Sequence, residues 1–141
     1  EADDGELIDD LLVVLHAQKV DFTAFFRALS SAVRGDAQVA RALFDEPAAF
    51  DAWCVRWQER LSSASSDPDA VADDMDRVNP IYIPRNHHVE DALAAATAGD
   101  LEPLRWLLDV LAQPFDERPG LEAYAAPAPP SFGEYVTFCG T

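Results

Sequence analysis

Basic residues are scarce in this chain: ten stand against 26 acidic ones, a formal charge of −16 over 141 residues. A field of that sign repels phosphate backbones and anionic headgroups, which excludes nucleic acid and membrane surfaces as partners. Lysine is nearly absent, Lys19 being the only one. Cysteine is almost as rare. Cys54 and Cys139 cannot build a disulfide framework, which suits a reducing compartment. No apolar run approaches the about 20 residues of a membrane span. The six glycines are scattered at positions 5, 35, 99, 120, 133 and 140, so no Gly-rich loop exists to cradle a phosphate around Lys19. A serine elbow and a local Cys–His pair are missing as well. There is no initiator methionine, and the acidic opening EADDGEL lacks the basic-then-apolar pattern of a signal peptide. The expectation is a piece of a longer protein, without catalytic residues of its own.

What is present is helical periodicity. The length is enough for one domain with a real core. Leu7, Ile8, Leu11, Leu12, Val14 and Leu15 predict a helix over roughly 5–18. Asp21 is placed to cap a second helix with the stripe Phe22, Phe25, Phe26 and Leu29. Gly35 ends it, and Asp36 can cap a short helix carrying Val39, Leu43 and Phe44. Pro47 opens another, with Phe50, Trp53, Cys54, Trp57 and Leu61 on one face, which makes Cys54 a buried, inert thiol. The segment 62–69, SSASSDPD, reads as a polar loop, followed by a short helix over 71–77 with Met75 and Val78 inward. Helices near 87–98 and 101–112 follow, the second with Leu101, Leu104, Leu107, Leu108 and Leu111 inward. The fold class is therefore mainly α: a small multi-helix domain of five to seven short helices over 1–113, and an irregular Pro-rich C-terminal tail over 114–141. That tail holds Phe115, Leu121, Tyr124, Phe132, Tyr135 and Phe138, too apolar to stay free, and is expected to dock on the helices or on a part of the parent protein.

Several patterns invite chemistry that their spacing does not support. His87 and His88 point about 100° apart on a helix and cannot chelate one metal from one face. Each has an acid at i+3, Glu90 and Asp91, but no second such pair completes a site. The run Asp67, Asp69, Asp73, Asp74, Asp76 fails as a calcium loop, because position 5 is Val71 and no glycine follows. It reads as a solvated acidic loop. The pattern A-x-x-G-D-L-x-x-L-x-x-L-L over Ala96–Leu108 resembles half an ankyrin repeat, yet a stack needs several copies and there is one. Cys139 is a different matter: third from the end and beside Gly140, it has the access that thiol exchange requires.

The best-specified stretch is VNPIYIPRNHHVEDALAAATAGDLEPLRWLLDVL. Pro80 and Pro84 hold Asn79 and Ile83 out of the helical region, giving an extended strap over 78–86. Asn86 is placed to cap the next helix, Gly99 to end it in the left-handed region, and Asp100 to cap the one after. This strap, Asn-Pro-x-Tyr-x-x-Arg-Asn, resembles that of the selenoprotein O (SelO/YdiU) family. Asp21 to Leu29 resembles the family's Asp-Phe-Thr-x-x-Phe-Arg-x-Leu core, and the ending Cys139-Gly140-Thr141 its terminal Cys-x-x, which in some members carries selenocysteine. The pair His87-His88 and the ending without serines depart from the family pattern.

The resemblance implies the C-terminal region of a protein adenylyltransferase with a kinase-like fold, which moves AMP from ATP to Ser, Thr or Tyr of proteins. ATP and magnesium then belong to the parent protein, upstream of Glu1; this chain holds no catalytic residue, no metal and no cofactor. Its partners are the kinase-like domain of the same parent and the parent's protein substrates. Carried over are Cys139 as a redox switch and Asn79, Tyr82, Arg85 and Asn86 as strap residues of structural role. The implied location is the cytoplasm of a bacterium, or the mitochondrion if the source is eukaryotic. The rival reading is a stand-alone helical protein-interaction module without catalytic activity.

Overall fold

The computed structural model describes residues 2–133 and Tyr135, with the side chains of residues 2 and 3 left aside. Its helices are α1 (Ala2–Ala17), α2 (Phe22–Val33), α3 (Gln38–Arg41), α4 (Ala48–Ala64), α5 (Pro68–Val78), α6 (Asn86–Thr97), α7 (Glu102–Leu111) and α8 (Glu122–Ala125), with a 3₁₀ turn at Pro130–Phe132. Among the described residues there is no strand, and no helix is long and apolar enough to cross a membrane. The mainly α fold class is what the periodicity predicts. The chain forms two compact units, Glu1–Pro80 and Ile81–Thr141. The strap over 78–86 thus contributes to both, and residues 114–133 belong with the second.

The first unit is built on an aromatic core. Phe25 is fully buried, and Phe26, Phe44, Phe50 and Trp53 meet it edge-on at centroid distances of 5.5, 5.7, 5.9 and 6.3 Å. Such tilted contacts set the positive ring edge against a negative face. Burying a phenylalanine this completely contributes about 1.5–3 kcal/mol. Trp53 donates its indole N–H to the Leu7 carbonyl at 2.8 Å, which ties α1 to α4. Asp21 caps α2 as predicted, accepting from the Ala24 N–H at 2.8 Å. Cys54 is buried, and burial, followed by the charge of Asp51, pushes its thiol pKa up.

Arg27 on α2 and Arg34, the residue capping its end, grip α5. Arg27 donates to the Asp76 carbonyl at 2.9 Å and lies 3.3 Å from its carboxylate, while Arg34 reaches Asp76 at 3.0 Å and Asp73 at 2.6 Å. The acidic run is therefore not a solvated loop. Asp67 caps α5 through the Ala70 N–H, Pro68 occupies its first turn, and Asp73 and Asp76 are ion-paired. The polar loop expected over 62–69 shrinks to 65–67. α4 runs on to Ala64, and within it the Ser62 and Ser63 hydroxyls, which composition reads as loop-forming, are accommodated on the carbonyls of Gln58 and Arg60.

In the second unit α6 and α7 form a helical hairpin. Gly99 sits at φ 94°, and the Asp100 N–H reaches back to the Ala95 carbonyl at 2.9 Å, a left-handed helix stop. Asp100 then accepts from the Glu102 N–H at 3.0 Å. Asn86 does not cap α6. It is the first helical residue, and Arg85 holds the cap position with extended backbone and no side-chain cap bond. Some expected inward residues also face out: Phe22, Val39, Val78, Leu101 and Leu108 are exposed, because each helix buries a narrower stripe than its apolar sequence allows. The tail departs from pure coil in its two short turns, α8 and 130–132.

Burial works to raise the Asp76 pKa, but the Ser30 hydroxyl, Arg34 and Arg27 outweigh it and leave the value below the usual one near 3.8. A carboxyl with a depressed folded pKa stabilises the fold above its unfolded pKa, and that contribution is lost as pH falls through the folded value. Asp76→Asn should therefore cost about 2 kcal/mol at neutral pH. The gap to the parent sequence should close below pH 3.8, as urea unfolding curves across pH will show.

Candidate functional site

Among the described residues no three His, Cys, Asp or Glu side chains converge to hold a metal ion. Two of the acids are committed to arginines: Arg60 holds Asp4 far below the carboxylate range, and Asp51 pairs with Arg41 at 2.9 Å. Lys19 sits in the turn after α1, without a phosphate loop beside it. These side chains do not fit a nucleotide triphosphate with its magnesium, so no chemical step is assigned to them. The specific geometry lies in the strap and what it holds.

Tyr82 is buried, and its hydroxyl oxygen accepts the Arg118 peptide N–H at 3.1 Å. The Arg118 guanidinium lies 5.3 Å over the same ring, attracted to its negative face. It also donates to the Val110 carbonyl at 2.5 Å, one of the last α7 carbonyls that lacks an intrahelical partner. The Pro114 carbonyl takes both the Ile81 and Tyr82 N–H groups, at 2.7 and 3.2 Å. Arg85, buried despite its charge, donates to the Ala125 carbonyl at the end of α8 at 2.8 Å. His88 Nε2 donates to the Ala123 carbonyl at 3.0 Å and stacks near Tyr124. Strap and α6 side-chain donors thus satisfy carbonyls of the Pro-rich segment.

His87 and His88 do lie side by side, 4.0 Å between ring centroids, but His87 packs on Phe132 rather than on an acid. Burial, then His88 and Arg85, lower its pKa, with Asp91 acting the other way. Tyr135 donates to Glu90 at 2.6 Å. Asn79 stands apart from Tyr82, Arg85 and Asn86. It ends α5 in the first unit, donating from Nδ2 to the Met75 carbonyl at 2.9 Å and accepting from Arg27 at 3.3 Å. Asn86 is exposed. Cys139 lies outside the described residues. The sequence reading missed Arg118 and Arg27; the one available signal for Arg118 was a lone cation in a Pro-rich segment that also holds Phe115, Leu121 and Tyr124.

The described residues form short helices tied to an extended strap, a wholly helical arrangement. The profile of the family described as protein adenylyltransferase SelO matches residues 1–112. The chain belongs to that family. Proteins named protein nucleotidyltransferase YdiU are its relatives: one from a Mycobacterium species is 56% identical over 135 residues, covering 96% of this chain and 26% of the relative. That of Mycolicibacterium paratuberculosis is 57% identical, covering 96% and 27%, and that of Sphingopyxis alaskensis 50%, covering 99% and 28%. The chain spans about a quarter of the length of the curated relatives it matches.

Tyr82→Phe removes the acceptor of a buried N–H and should cost about 1–2 kcal/mol. Arg118→Ala keeps the peptide N–H but removes the guanidinium from the Tyr82 ring and frees the Val110 carbonyl; it should cost a similar amount or more, and the double variant should show the two are coupled. Hydrogen exchange at the Ile81 and Tyr82 amides, both bonded to Pro114, should speed up in each variant and reports the loss directly.

Proposed function

We propose that residues 1–141 are an accessory and regulatory region, C-terminal in the parent protein, of an adenylyltransferase that moves AMP from ATP to Ser, Thr or Tyr hydroxyls of proteins. One observation carries the reading: the family profile accounts for residues 1–112, while the relatives are nearly four times the length they share with this chain. In this reading ATP and magnesium are held by a kinase-like domain outside these residues. The region buttresses that domain, and Cys139 supplies a thiol switch. The parent acts in the bacterial cytoplasm. The geometry is consistent with it, because the buried Arg85 and the half-buried Arg118 are spent on backbone carbonyls.

A second reading, a stand-alone interaction module, draws on exposed apolar side chains such as Trp106 and Leu108. Calorimetry and labelling separate the two. Titrated with ATP and magnesium, the 141-residue chain should give no heat, whereas the parent should incorporate label from ATP marked on its α-phosphate and lose incorporation when this region is deleted. Millimolar-or-tighter ATP binding by the chain alone overturns the accessory reading. A native protein no heavier than this chain, with no labelling, hands the lead to the interaction module.

A further inference from the structure

The turn between α1 and α2 carries a strained cation beside an open apolar groove. Leu12, Leu15, His16, Lys19, Val20 and Phe22 line a groove of about 550 Å³ in the first unit. Leu12 is 44% and Phe22 58% exposed, and Ile8, one turn earlier on the same face of α1, is 57% exposed. Solvated side chains of this size gain nothing from being where they are. At the end of the groove Lys19 adopts φ 52°, the only positive φ outside glycine among the described residues. The Val20 N–H reaches back to the Leu15 carbonyl at 3.0 Å, so Lys19 fills the left-handed position of a helix stop, where glycine is the residue without steric penalty. Gly35 and Gly99 hold the comparable positions after α2 and α6. Folding alone would favour glycine at 19 too. The sole lysine of a chain with charge −16 stands there instead, exposed and in no ion pair among the described residues.

Strain kept at an exposed position points to a contact made by the side chain. We infer that this groove seats a segment of the same polypeptide lying outside residues 1–141, with apolar anchors against Ile8, Leu12 and Phe22 and a carboxylate against Lys19. The inference rests on the accessory reading above. Its grounds are the unmatched three-quarters of the relatives' length, which supplies the occupant, and the charge of Lys19, which selects an acidic group on it. A partner rich in basic residues would suit the rest of this surface but not the groove.

Zero-length carboxyl–amine coupling on the full-length parent, read by peptide mass spectrometry, tests this at one defined amine. The expected product joins Lys19 to an Asp or Glu outside residues 1–141 of the same polypeptide. Phe22→Asp, which places an acid favourably in the first turn of α2 and keeps the fold, should lower that product about tenfold through loss of one apolar anchor. Lys19→Gly should leave hydrogen exchange of the aromatic core unchanged while speeding exchange of the turn amides in the full-length protein. Coupling of Lys19 only within residues 1–141, to a second polypeptide, or to nothing overturns the inference. Because none of these readouts uses AMP transfer, a parent that couples as expected but transfers no AMP would leave the groove assigned and the enzymatic reading refuted.

Discussion

Short helices leave many backbone carbonyls without partners, and in this chain side-chain donors fill that need. A helix of n residues leaves its last four carbonyls open, so eight short elements expose far more of them than a few long ones would. Arg27 serves Asp76 and Asn79, Arg118 serves Val110, and Arg85 serves Ala125. Each donor lies dozens of residues from its acceptor, except Arg118, which folds back from the tail. These bonds fix helix ends in place where propensity alone would let them fray. Once a cation is buried against a carbonyl, removing it leaves a desolvated acceptor behind, so the cost exceeds that of a surface ion pair.

Local signals were legible wherever one residue decides the backbone. Asp21, Gly35, Gly99 and Asp100 do at their positions what cap and turn chemistry requires. The failures came from longer-range competition. Asn86 is a good cap by type, yet Pro84 and the buried Arg85 set the helix start one residue earlier than its side chain could use. The serines at 62 and 63 read as loop by composition, but the helix runs through them and their hydroxyls find carbonyls on the preceding turn. The acidic run looked like solvent-facing charge because its partners, Arg27 and Arg34, lie about forty residues earlier on another helix. Pattern alone carries no information about that distance.

The strap shows the same division. Its sequence motif was visible, and its prolines dictate extended backbone. What the motif residues do was not visible, since Tyr82 and Arg85 act on Arg118 and Ala125. Asn79 serves the end of α5 instead, so one motif divides its residues between two compact units. A stretch that reads as a single element can thus be a seam whose two halves answer to different cores.

The tryptophans are divided between the same two units. Trp53 and Trp57 stack at 5.4 Å inside the aromatic core of the first unit, while Trp106 lies half-exposed on α7 in the second. Stacked, shielded indoles and a wetted one differ in emission colour and in access to soluble quenchers. The two halves of the chain therefore carry separate optical reporters, and melting of one can be followed while the other stays folded.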